Sequence, residues 1–185
     1  MGCDIHGFVE VRDARPESLK KYRDDFVPWW TPIICVGSFL TRDYNLFGVL
    51  AGVRWYDPSW EWEPIAPNRG LPDDVSYEVR SSCMMYDEKQ REWVDDEDHH
   101  STTWMLLSEI KAFNWDKKIN DQKHNPEFTQ YLKKGKEEER PPMFIDNWVP
   151  LYDYCDEFKT VRRLMEELVN IYGNENVRLI IWFDN

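Results

Sequence analysis

The feature that most constrains this chain is its C-terminal stretch, where a helical stripe runs directly into a segment suited to the interior of a sheet. Phe158, Val161, Leu164, Met165, Leu168 and Tyr172 recur at three- and four-residue spacing, which aligns them on one face of an α-helix. Asp156 can cap the start of that helix, and Gly173 can end it in a left-handed conformation. Val177–Phe183, VRLIIWF, is β-branched and aromatic, the composition of a central strand. The pattern predicts a helix over 157–172, with all six apolar side chains fully buried, feeding a strand over 176–184.

The other end of the chain supplies a partner. Residues 3–12 alternate, so that Cys3, Ile5, Gly7, Val9 and Val11 face one way and Asp4, His6, Phe8, Glu10 and Arg12 the other. An opening strand and a closing strand fed by a helix are expected side by side in the middle of one sheet. The predicted fold class is α+β: a mixed β-sheet with the N- and C-terminal strands central and helices packed on it. At 185 residues one hydrophobic core suffices, so residues 1–185 are read as a single domain.

Between these ends the punctuation is clear. Prolines in 13–32 mark a loop, and Ile33 to Leu40 can form a short strand. Leu46, Phe47, Leu50 and Val53 give Asp43–Val53 a helical face. Residues 55–72 read as an ordered loop ending in the turn Arg69-Gly70-Leu71-Pro72, with a short helix over roughly 73–82. Asp87 to Asp98 holds seven acidic residues against Lys89 and Arg91 and reads as a solvated hairpin or loop. Ser101 is placed to N-cap a helix running through about Phe113. Residues 116–142, with the run KKGKEEER, read as a charged, mobile insertion.

A formal charge of −12 argues against direct contact with nucleic acid or anionic membrane, which calls for clustered Lys and Arg. Ten Trp, nine Tyr and nine Phe exclude a disordered chain. Cys3, Cys35, Cys83 and Cys155 form no C-x-x-C pair and are read as reduced, packed thiols. With no apolar signal region or membrane-length apolar run, the expected location is the cytoplasm.

Several groups can carry chemistry. Asp4 and His6 share one strand face at i and i+2, a spacing that first suits a structural hydrogen bond and then a substrate proton or a metal. His99-His100-Ser101-Thr102-Thr103 precedes the expected helix, where free N–H groups would favour a phosphate or carboxylate. Arg42, Arg54 and Arg69 lie beside turns or helix ends, from which a guanidinium can clamp phosphate or form an internal ion pair. Trp55, Tyr56, Trp60 and Trp62 can pack in a core or stack on a base. No phosphate-binding loop, dinucleotide fingerprint, nucleophile elbow or H-E-x-x-H pattern occurs.

Taken together, Met1-Gly2-Cys3-Asp4-Ile5-His6, Arg42-Asp43-Tyr44, Leu46-Phe47, Leu50-Ala51-Gly52-Val53-Arg54, Arg69-Gly70-Leu71-Pro72 and His100-Ser101 with Thr103-Trp104 and Glu109 make residues 1–115 resemble an uncharacterised family of bacteriophages and bacterial genomes. The charged 116–142 segment departs from that pattern. A phage kinship implies a small accessory protein, of the kind that counters host defence. The leading expectation is a binder that sequesters a nucleotide-like, phosphate-bearing small molecule through Arg42, Arg54, Arg69, His100, Ser101 and Thr102. The alternatives are a phosphodiesterase-like hydrolase using Asp4, His6 and His100, with or without a divalent metal on those residues, and an acidic nucleic-acid mimic that inhibits a host protein through Asp95 to Asp98. Self-association into a homo-oligomer is a further expectation. In the binding reading Asp4, His6, Arg54 and His100 line one pocket.

Overall fold

The structure is a computed structural model and describes residues 2–12, 29–40, 42–54, 63–121 and 147–184. The chain divides into two compact units, Met1–Phe113 with Glu157–Asn185, and Asn114–Asp156.

The first unit is built on a four-stranded sheet. Its strands are β1 (Ile5–Arg12), β2 (Trp30–Cys35), β5 (His99–Leu106) and β8 (Val177–Asp184), in the order β2-β1-β8-β5. The N- and C-terminal strands are therefore central, and all three pairings are antiparallel rather than mixed in direction. Trp30 to Pro32 belong to β2 and not to a loop; residues 13–28 lie outside the described residues. Pro32 is tolerated because β2 is an edge strand and the β1–β2 register slips between Val9 and Glu10.

β8 is buried from Val177 through Phe183, the burial expected of an interior strand. Gly7 is required opposite it. Its φ is +155°, and a Cβ there would run into the Ile180 carbonyl of β8. Pairing places His6, Phe8, Glu10, Arg178, Ile180, Trp182, Asp184 and Trp104 on one face of the sheet, here the first face. Ile5, Val9, Leu179, Ile181, Phe183 and Met105 occupy the second.

Each face has a helix. On the second, α1 (Tyr44–Ala51) sets Phe47 edge-on to Phe183 at 5.0 Å between ring centroids. Asp43 caps α1 by accepting from the Asn45 and Leu46 amides, and Gly52 closes it at φ 73°. On the first, α2 (Tyr77–Cys83), capped by Ser76, packs Val79 and Cys83 with Ile180 and Trp182. A hairpin of β3 (Met84–Asp87) and β4 (Glu92–Asp95) follows, so the acidic run 87–98 supplies the turn and second strand of a hairpin and the residues just after it.

The expected helix from Ser101 is corrected: His99–Leu106 is the edge strand β5, and only Leu107–Ala112 is helical (α3). The run Thr103-Trp104-Met105, with a β-branched and an aromatic residue, gains more from pairing with β8 than Ser101 gains from a cap. The helix α5 (Asp156–Tyr172) also departs in degree. Phe158, Val161 and Met165 are buried, while Leu164, Leu168 and Tyr172 are only half-buried. Gly173 has φ 90° and ψ 156°, a glycine conformation but not the left-handed helical one.

The second unit pairs β6 (Lys118–Asn120) with β7 (Trp148–Pro150) and carries the short α4 (Leu151–Tyr154). Ile119, Leu151 and Cys155 are buried in it. Residues 122–146, which hold most of the expected insertion, lie outside the described residues. Among the described residues no helix is long and apolar enough to cross a membrane.

Candidate functional site

The polar chemistry of the first unit gathers where β1 begins and β8 ends. Asp184, the last described residue of β8, accepts from the Asp4 amide at 2.7 Å and contacts His6 Nε2 at 3.0 Å. Burial opposes ionisation of Asp184, but the Asp4 amide and His6 outweigh it and hold the carboxyl below the usual carboxylate range. An ionised carboxylate only accepts, so His6 Nε2 is the N–H and Nδ1 is the acceptor in the neutral ring. His6 stands 6.1 Å from Trp182 and 6.0 Å from His99, centroid to centroid. His99 Nδ1 lies 3.0 Å from the Cys83 carbonyl, which fixes that nitrogen as a donor as well.

A bulge decides which histidines meet. Between His100 and Thr103 the β5–β8 register slips, and Ser101 takes φ 53°. His99 is opposite Asp184 and so joins His6 on the first face. His100 is opposite Phe183, and lies on the second face, with its ring stacked at 6.0 Å and Nε2 3.9 Å from Cys3 Sγ. The single pocket expected for Asp4, His6, Arg54 and His100 is thus overturned, because His6 is opposite Trp182 and His100 opposite its neighbour Phe183. Ser101 and Thr102 cannot offer helix N-terminal amides either, since they lie within a strand.

The arginines are largely engaged elsewhere. Arg42 forks onto Asp4, with Nε 2.7 Å from Oδ1 and one terminal nitrogen 2.6 Å from Oδ2. The pairing drives the Asp4 carboxyl down and the Arg42 guanidinium up. Arg69 pairs with Glu109 at 2.8 Å and donates to the Trp104 and Ile65 carbonyls, so it clamps a turn to β5 and α3. Arg54, at φ 54°, lies beside Cys3, whose thiol is pushed up by burial although Arg54 pulls it down. The Cys83 thiol is likewise raised by burial, which makes neither a ready nucleophile. Trp55, Tyr56, Trp60 and Trp62 lie outside the described residues. Among the described residues no group of three or more His, Cys, Asp or Glu is placed to hold a metal, so Asp4, His6 and His100 do not form a ligand set.

A cleft of about 450 Å³ opens beside the bulge, lined by Asn68, Gly70–Asp73, Arg80, Cys83, Met84, Asp95, Asp96 and His99–Thr102. Gly70 N–H donates to the Thr102 carbonyl at 2.8 Å, tying the Arg69–Pro72 turn to the bulged strand. Of the expected ligand residues, His100, Ser101 and Thr102 line the cleft, whereas Arg42, Arg54, Arg69, Asp4 and His6 are not among its lining residues. Sequence reasoning missed Arg80 and Asp184, and named Asp96 only within the acidic mimic. The only available signal was their proximity in sequence to motifs already noted. Family models, curated proteins and solved structures offer no match to the chain.

Proposed function

We propose that the chain binds a small polar molecule in the cleft beside the β5 bulge, of the nucleotide-like class expected from the sequence and with at most one phosphate. The supporting observation is the mixed lining: Arg80 among Asp73, Asp95 and Asp96, with His99 and His100. Carboxylates accept from ribose hydroxyls and exocyclic amines, and a single guanidinium suits one phosphate. A triphosphate would meet those three carboxylates with one arginine to offset them. The size also fits a small molecule, as such sites span roughly 300–1,000 Å³. Following the resemblance to phage proteins, the biological use of such binding would be sequestration.

Titration calorimetry with nucleosides, nucleoside monophosphates and triphosphates tests the reading. The expected order is monophosphate or nucleoside tighter than triphosphate, with Asp95→Asn, Asp96→Asn or Arg80→Ala weakening the best ligand by about tenfold or more, equal to ~1.4 kcal/mol. Absence of binding across the panel, or wild-type affinity in all three variants, overturns it.

A hydrolytic reading draws on the His6–Asp184 pair. A carboxylate that fixes one imidazole nitrogen and leaves the other as acceptor is the arrangement of a general base. Ligand recovered intact after denaturing the complex would identify a binder; cleaved ligand whose formation is lost in His6→Asn would favour hydrolysis.

A further inference from the structure

The acidic hairpin carries a feature separate from the cleft. Asp87 tightens its turn by accepting from the Lys89 and Gln90 amides at 2.7 and 3.1 Å. That turn fixes the register in which Tyr86 is opposite Trp93, and their rings meet edge-on at 5.3 Å. Tyr77, from the first turn of α2, meets the same indole edge-on at 5.8 Å. Yet the two tyrosines flanking Trp93 remain 71% and 50% exposed, for Tyr77 and Tyr86 respectively. Met85, on the other side of the hairpin, is also exposed.

Aromatic rings left in water beside carboxylates have a definite chemical preference. Ring faces attract cations, and the guanidinium of arginine stacks on them best because it is planar and weakly hydrated. Glu78, Glu88 and Glu92 stand exposed around the cluster, and the run Asp87–Asp98 carries seven acidic residues against two basic. That field repels phosphate polymers and anionic lipid and attracts positive charge from a distance. We propose that Tyr77, Tyr86 and Trp93 form a docking surface for a basic, arginine-bearing segment of another protein, with the surrounding glutamates steering it and the rings supplying the contact.

Anisotropy of a labelled arginine-rich peptide, at physiological ionic strength, tests this. The full chain should bind it, and Tyr77→Ala and Tyr86→Ala, exposed positions whose loss should leave the fold intact, should each weaken binding by about threefold to tenfold. Glu88→Gln with Glu92→Gln should slow association and reduce its salt dependence. Equal binding of a glutamate-rich peptide, no binding of the arginine-rich one, or losses confined to the charge variants would overturn the proposal; the last would mean nonspecific attraction to an acidic chain.

Discussion

At one end of the first sheet face Glu10 and Arg178 face each other across β1 and β8 with side chains 0% and 4% exposed; at the other end the side chains of His6 and Asp184 are 41% and 34% exposed. The buried end is fully engaged. Arg178 donates to Glu10 at 2.9 Å and to Asp74 at 2.7 Å, and its guanidinium lies 3.8 Å from the Trp30 ring centre, while Glu10 also accepts from the Ser76 amide. The open end leaves the His6 imidazole within reach of solvent. The same two strands thus carry one ion pair that ties the start of α2 and Trp30 of β2 to their middle, and one histidine–carboxylate contact that remains able to meet a ligand. Water access, more than residue type, separates the two.

Arg178→Met attacks the contrast hardest, because it strands the Glu10 carboxylate in the core. Urea unfolding should record a loss of roughly 3–5 kcal/mol, much of it recovered when Glu10→Leu is added. A loss under ~1 kcal/mol would mean that the buried end is no more structural than the open one.

Acid should find the same network. Asp74 is exposed, and the limited loss of water around it opposes ionisation, but hydrogen bonds from Arg178 and Trp30 hold its carboxyl below the ordinary value of 3.8. A depressed carboxylate contributes stability above its unfolded value and loses it as pH falls through the folded one. Stability should therefore decline below about pH 4, and Asp74→Asn should flatten that decline when unfolding is followed against pH. An unchanged slope would remove Asp74 from the network.

Asp184→Asn should do least to the fold. An accessible pair of this kind contributes about 0–1 kcal/mol, so the urea midpoint should barely move. Destabilisation as large as that of Arg178→Met would erase the distinction between the ends.

How much of this was legible depended on whether the signal was local. The strands β1 and β8, their central pairing, α1 and the buried stripe of Phe158, Val161 and Met165 follow from periodicity and composition. The Glu10–Arg178 pair had a faint signature, one charge within an otherwise apolar strand, but choosing its partner required the register. The bulge at Ser101 left no pattern at all. It arises from pairing with β8, and by inserting one residue it puts His99 rather than His100 on the face of His6, which is why the expected pocket came apart. Leu164 and Leu168 show a related limit, since helical spacing gives the direction of a side chain but not how far its neighbours reach around it.

The burial of the thiols has a practical corollary. Cys3, Cys83 and Cys155 are buried thiols outside any disulfide, and burial pushes the first two up, whereas Cys35 lies exposed at the end of the edge strand β2. Alkylation follows thiolate character and access. A dye or spin label added to the native protein should therefore report from the end of β2, opposite Phe8, while in air that same sulfur is the atom through which two chains would become crosslinked.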